Sequence, residues 1–107
     1  MKHEDIVNGL KSVASRCIPQ GGVLMLYGSQ ARGDSNENSD WDLLILLDKE
    51  TITNNDHDTV AFPFTYYGWE ISQNIIPVVY TKKQWQSYSF TPFYKNVEID
   101  KVTIYES

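Results

Sequence analysis

The stretch Gly28-Ser29-Gln30-Ala31-Arg32-Gly33-Asp34-Ser35-Asn36-Glu37-Asn38-Ser39-Asp40-Trp41-Asp42 decides how this chain reads. A Gly-Ser pair stands ten residues ahead of two aspartates that flank a tryptophan. The apolar run Val23 to Tyr27 before it predicts a buried strand and Asp40 to Leu47 a second, with a Gly/Ser/Asn-rich connection between. Side chains alternate along a strand, so Asp40 and Asp42 emerge on one face, roughly 6 to 7 Å apart, and Trp41 turns to the core. Two carboxylates so placed suit a hard divalent cation such as Mg2+, which keeps positions for water and phosphate oxygens.

The Gly-Ser half supplies the other end of the reaction. A chain that leaves a strand through Gly28 and Ser29 and turns into a short helix at Gln30 to Arg32 offers unpaired backbone N–H groups and a hydroxyl to an anion. The absent side chain at Gly28 lets a phosphate approach the backbone. Arg32 is either the local cation of that site or a helix-end residue paired with a carboxylate such as Asp34. The ordinary readings are a Gly-Ser turn and an acidic strand entry or helix cap. The two halves carry weight together.

In these residues the chain resembles the minimal nucleotidyltransferases of the DNA polymerase beta superfamily, whose signature is Gly-Ser, ten residues, Asp-x-Asp. The flanks agree: Gly28 to Gly33 has the form G-S-x-A-R-G, and Ser39 to Leu44 the form S-D-x-D-L-hydrophobic. The resemblance implies an α/β fold (α+β by some conventions) of nucleotidyltransferase type, a small mixed sheet of three to four strands flanked by helices. It also implies Gly28 and Ser29 at the phosphates of an NTP, where Arg32 is the candidate cation among the residues, and Asp40 and Asp42 as catalytic metal ligands. Family members hold two metals with three acids, the third on a strand beside Asp-x-Asp in a pattern like hydrophobic-Asp-hydrophobic-hydrophobic. In Ile76-Pro77-Val78-Val79, proline stands about where that acid is expected. Glu70 is the nearest candidate upstream, and reaches the metals if the strand begins near Trp69.

With 107 residues, the chain reads as a single domain over 1–107 with room for one core. Family members acting on long polymers carry further domains, so the acceptor here is expected to be small or brought by a partner. Fourteen acidic against nine basic residues give a net charge of −5, which disfavours free nucleic acid as a ligand. A nucleotide remains compatible, because the metal screens its phosphates. The single cysteine, Cys17, forms no internal disulfide and reads as a small buried residue. No signal peptide or membrane-spanning run is evident, and a cytoplasmic location is expected.

Ile6, Val7, Leu10, Val13, Ala14 and Cys17 fall at helical spacing and predict an amphipathic helix over 4–17. The second strand, apolar on both faces, belongs in the middle of the sheet. Residues 49–69 suit either a helix or, through Pro63 and the aromatic cluster Phe62 to Trp69, an edge strand; the resemblance implies a helix. The rings of that cluster read as core filling rather than an interface. His57 has no partner at metal-ligand spacing. Ile75 to Thr81 predicts a third strand that Pro77 places at an edge. Lys82 to Tyr88 predicts a short helix, and Thr91-Pro92 opens a last one. Val102 to Tyr105 reads as a short strand or tail.

The function expected is Mg2+-dependent transfer of an NMP, AMP from ATP, to a hydroxyl of a protein or small molecule. Resemblance to the minimal branch suggests an antitoxin-like partner of a helical nuclease encoded nearby, which it adenylylates. The alternative is a catalytically degenerate nucleotide-binding or protein-interaction module.

Overall fold

The computed structural model describes residues Met1 to Ser107. Four strands, β1 (Val23–Tyr27), β2 (Trp41–Leu47), β3 (Ile75–Thr81) and β4 (Val102–Glu106), form one mixed sheet in the order β3-β2-β1-β4. β1 runs antiparallel to both β2 and β4, and β2 runs parallel to β3. The parallel pair needs a crossover, supplied by the helical stretch between them.

Helices cover both faces. On one lie α1 (His3–Cys17), α3 (Asn54–Asp56), a π-helical turn (His57–Ala61) and α4 (Phe62–Glu70), packed over Leu24, Leu26, Trp41, Leu43, Ile45 and Leu47. On the other, α5 (Lys82–Ser87) and α6 (Pro92–Asp100) bury Met25, Leu44 and Leu46 under Trp85 and Val97. β2 is covered on both sides, which is why its apolar run does not alternate. β3 is an edge strand. Pro77 therefore sits where a missing N–H need cost no ladder hydrogen bond.

The stretch that suited helix or strand is helical, and Pro63 explains its break in pitch. Thr53 caps it, accepting from Asp56 N–H while the Asp56 carboxylate accepts from Thr53 N–H. The N–H of Phe62 then bonds to His57 O, five residues back. That wider turn lets Pro63 enter at the start of α4, without the clash and lost bond it would bring inside a regular helix. The aromatic cluster divides. Phe64 is fully buried, whereas Phe62, Tyr66 and Trp69 stand out on one side of α4, so core filling holds for only part of it. Thr81 and Thr91 cap α5 and α6. No helix is long and apolar enough to cross a membrane.

Candidate active site

β1 ends at Tyr27 and the chain turns on Gly28, whose φ of 75° and ψ of −160° suit only glycine. The four-residue helix α2 (Ser29–Arg32) follows. Its first helical hydrogen bond is made by Ala31 N–H to Gly28 O, which leaves the N–H groups of Ser29 and Gln30 without a helical acceptor. A Cβ on Gly28 would lie 2.5 Å from Oδ2 of Asp42. The Gly-Ser turn and the second acid are thus in van der Waals contact, drawn together because Tyr27 and Asp42 are paired across β1 and β2.

Asp40 precedes β2 and is exposed; Asp42 is half-buried on the face shared with α5 and α6; Trp41 is buried on the opposite face. Burial, then the neighbouring Asp40 charge, push the Asp42 carboxyl above its usual range, with Arg32 opposing them. The Asp40 charge is thus felt at Asp42, and two neighbouring carboxylates are a donor set of the kind that suits a hard divalent cation. Tyr27 beside Asp42 is pushed up to about 12, chiefly by burial and then by Asp42 and Tyr80, so its phenol keeps its proton.

Several groups that the motif does not mark hold it in place. Asn74, just before β3, donates from Nδ2 to Asp40 Oδ1 at 2.8 Å. Gln30, the variable residue of G-S-x-A-R-G, is buried; its Oε1 accepts from Ser35 Oγ and its Nε2 donates to Ser39 O. It therefore braces the loop that delivers Asp40. His3 Nε2 lies 3.1 Å from Gln30 O, and its ring packs on Trp41 at 4.8 Å. Nothing in the sequence marks Gln30 for such a role, since Ser29 and Arg32 beside it are polar too.

Two expectations change. Glu70 does not join the acids: it ends a helix rather than opening a strand, and α4 packs on the face opposite Asp42. No group of three His, Cys, Asp or Glu side chains in the chain is arranged to hold a metal. Pro77 is not the residue that displaces a third acid. It pairs with Leu43 and so shares the opposite face, while Ile76 pairs with Asp42. Arg32 makes the pairing with Asp34 that was one of its two expected roles, with Nε to Asp34 Oδ2 at 3.1 Å, and adds Nη1 to Asp100 Oδ2 at 2.8 Å, which ties α2 to α6; its charge is still felt at Asp42.

The site is an open shelf. The chain has three cavities of about 350 to 390 Å3, and none is lined by Gly28, Ser29, Asp40 or Asp42. The largest lies behind the shelf, between His3, Gln30, Asn36 and Trp41.

The family model described as polymerase beta nucleotidyltransferase matches residues 11–68, over half of the chain. No curated protein matches significantly. Among solved structures, a chain of a toxin–antitoxin complex with AMP-PNP is 18% identical over 94% of this chain and 73% of its own, with a TM-score of 0.68. A chain of the MntA-HepT toxin–antitoxin complex is 15% identical over 97% of this chain and 73% of its own, with a TM-score of 0.62. A chain from the tri-AMPylated Shewanella oneidensis HEPN toxin in complex with MNT antitoxin is 13% identical over 99% and 74%, also at 0.62.

Proposed function

This chain belongs to the polymerase beta nucleotidyltransferase family, and from that premise we propose that it transfers AMP from ATP to a hydroxyl of a protein. The acceptor oxygen bonds to the α-phosphorus, the bond from that phosphorus to the bridging oxygen breaks, pyrophosphate leaves with the electron pair, and the hydroxyl proton passes to solvent. The observation that carries this reading is the contact between the Gly28 turn and the Asp42 carboxylate, which joins an anion-binding turn to a cation-binding acid.

In this reading Ser29 and the free amides of the turn take the phosphates, and Asp40 and Asp42 hold a divalent cation, Mg2+. When bound, that ion neutralises phosphate charge and eases loss of the acceptor proton. Asn74 fixes the rotation of Asp40. Arg32, near enough to Asp42 to favour its ionised form, adds positive charge while Asp34 and Asp100 hold it.

A protein acceptor is favoured by the open shelf, which an opposing surface has to cover, and by the AMPylated toxin in a complex of the same fold. The partner we propose is a helical protein encoded nearby, with this chain as its antitoxin. The reading takes residues 1–107 as one domain and places the protein in the cytoplasm, where ATP and magnesium are at hand. Incubation with ATP labelled in the α-phosphate and the product of the adjacent gene should label that product, and Asp42→Asn should abolish the label. Absence of label with the wild-type chain, while ATP still binds, would move the assignment to the second reading, a nucleotide-binding module without turnover. That reading is supported by the lack of a third acid.

A further inference from the structure

The registers of β2 with its two neighbours name the side chains that share a face with Asp42. Across β1 its partner is Tyr27; across β3 it is Ile76, with Val78 two residues further on. Asn74, two residues before Ile76, is the side chain that binds Asp40. None of these four is an acid. Asp34 and Asp100 are engaged by Arg32, and Glu70 belongs to the other side of the sheet. Two ions bridged by one carboxylate need further acids flanking it, and here one flank is a phenol and the other an alkyl group.

The geometry points to a site for a single divalent cation, in which Ile76 fills the place from which a third carboxylate would hold a second one. The inference rests on the nucleotidyl-transfer reading of the Asp pair, but the first arm of its test needs no nucleotide. Ile76 is 38% exposed on an edge strand, so a polar side chain is accommodated there without a cavity or a buried charge. The acceptor accordingly meets hydrocarbon beside Asp42 rather than a second ion.

The probe is Mn2+ alone, titrated into the full chain with free ion counted by electron paramagnetic resonance. Ile76→Asp should bind Mn2+ at least about tenfold more tightly than wild type. Ile76→Asn, equal in shape but uncharged, should stay at the wild-type value, and adding Asp42→Asn to Ile76→Asp should remove the gain. With a non-hydrolysable ATP analogue present, the wild-type complex should hold one Mn2+ and the Ile76→Asp complex two. Two ions in the wild-type complex, or no difference between the aspartate and asparagine variants, would overturn the inference. If the analogue fails to bind while Ile76→Asp still tightens Mn2+, the metal assignment stands and the nucleotide reading falls. Circular dichroism on each variant confirms that the compared proteins are folded.

Discussion

Replacing Gly28 by alanine tests the contact on which the site depends. The φ of 75° and ψ of −160° at Gly28 cost a residue with a side chain about 1 to 3 kcal/mol. The added methyl would lie 2.5 Å from Oδ2 of Asp42 and 3.4 Å from its carboxyl carbon, so the carboxylate has to swing off its rotamer, at about 1 kcal/mol more. Gly28→Ala is therefore expected to lose about 2 to 4 kcal/mol, a fall in Tm on the order of 15 °C for a chain of this size. Gly33 supplies the control. It also has a positive φ, 84°, but a Cβ there meets nothing within 4 Å, so Gly33→Ala should lose only about 1 kcal/mol. Urea unfolding reads the stability, and Mn2+ titration reads the position of the acid. The Gly28 variant should lose Mn2+ affinity and the Gly33 variant should keep it. Equal stability losses in the two variants, or wild-type Mn2+ affinity in Gly28→Ala, would refute the proposed contact.

Asp42→Asn should raise thermal stability in the presence of a chelator, because it removes a carboxylate that burial and Asp40 disfavour; a lower Tm than wild type would contradict that electrostatic account. At Asp56, burial works to raise the carboxyl, but the Lys49 ammonium and the N–H and hydroxyl of Thr53 outweigh it and hold it below the usual value. An acid held low in the folded state adds stability that is complete above its unfolded value near ~4 and is lost as pH falls through the folded one. Asp56→Asn should thus cost about 1 to 2 kcal/mol at pH 7, with a shallower loss below pH ~4 in acid-unfolding curves. Trp69 is 65% exposed while Trp41 and Trp85 are buried, so Trp69→Phe should remove most iodide-quenchable emission and change stability by less than about 0.5 kcal/mol.

What could be read in the sequence was whatever a short window determines. Val23 to Tyr27 and Trp41 to Leu47 are too apolar and too short to be anything but buried strands, and Pro77 marked its strand as an edge because a missing donor is tolerated only there. The hydroxyls of Thr81 and Thr91 likewise announced their helices locally. The stretch through Pro63 was ambiguous because the π-helical turn that accommodates it leaves no periodic signal. Phe62, Tyr66 and Trp69 were misjudged for a related reason: composition says that a ring favours burial, but only packing says whether α1 and the sheet have room for it. Phe64 took that room, and the other three rings lie outward, with Phe62 against Tyr66 and Trp69.

The third acid shows where such reading stops. Which face a strand residue serves depends on its register with the neighbouring strand, and a shift of one residue exchanges every face. The motif names Asp42 but does not fix the register of β3, so the sequence puts Pro77 about where the acid is expected without saying which residue stands beside Asp42. The parallel pairing of Trp41 with Ile75 settles the choice in favour of Ile76. It also removes Glu70, since α4 continues to that residue and packs on the other side of the sheet. A site with two acids, an alkyl flank and no enclosing cavity derives little of its specificity from within. On the proposed reading its selectivity comes from an opposing surface laid over the shelf, and the acceptor is better sought among proteins than among small molecules.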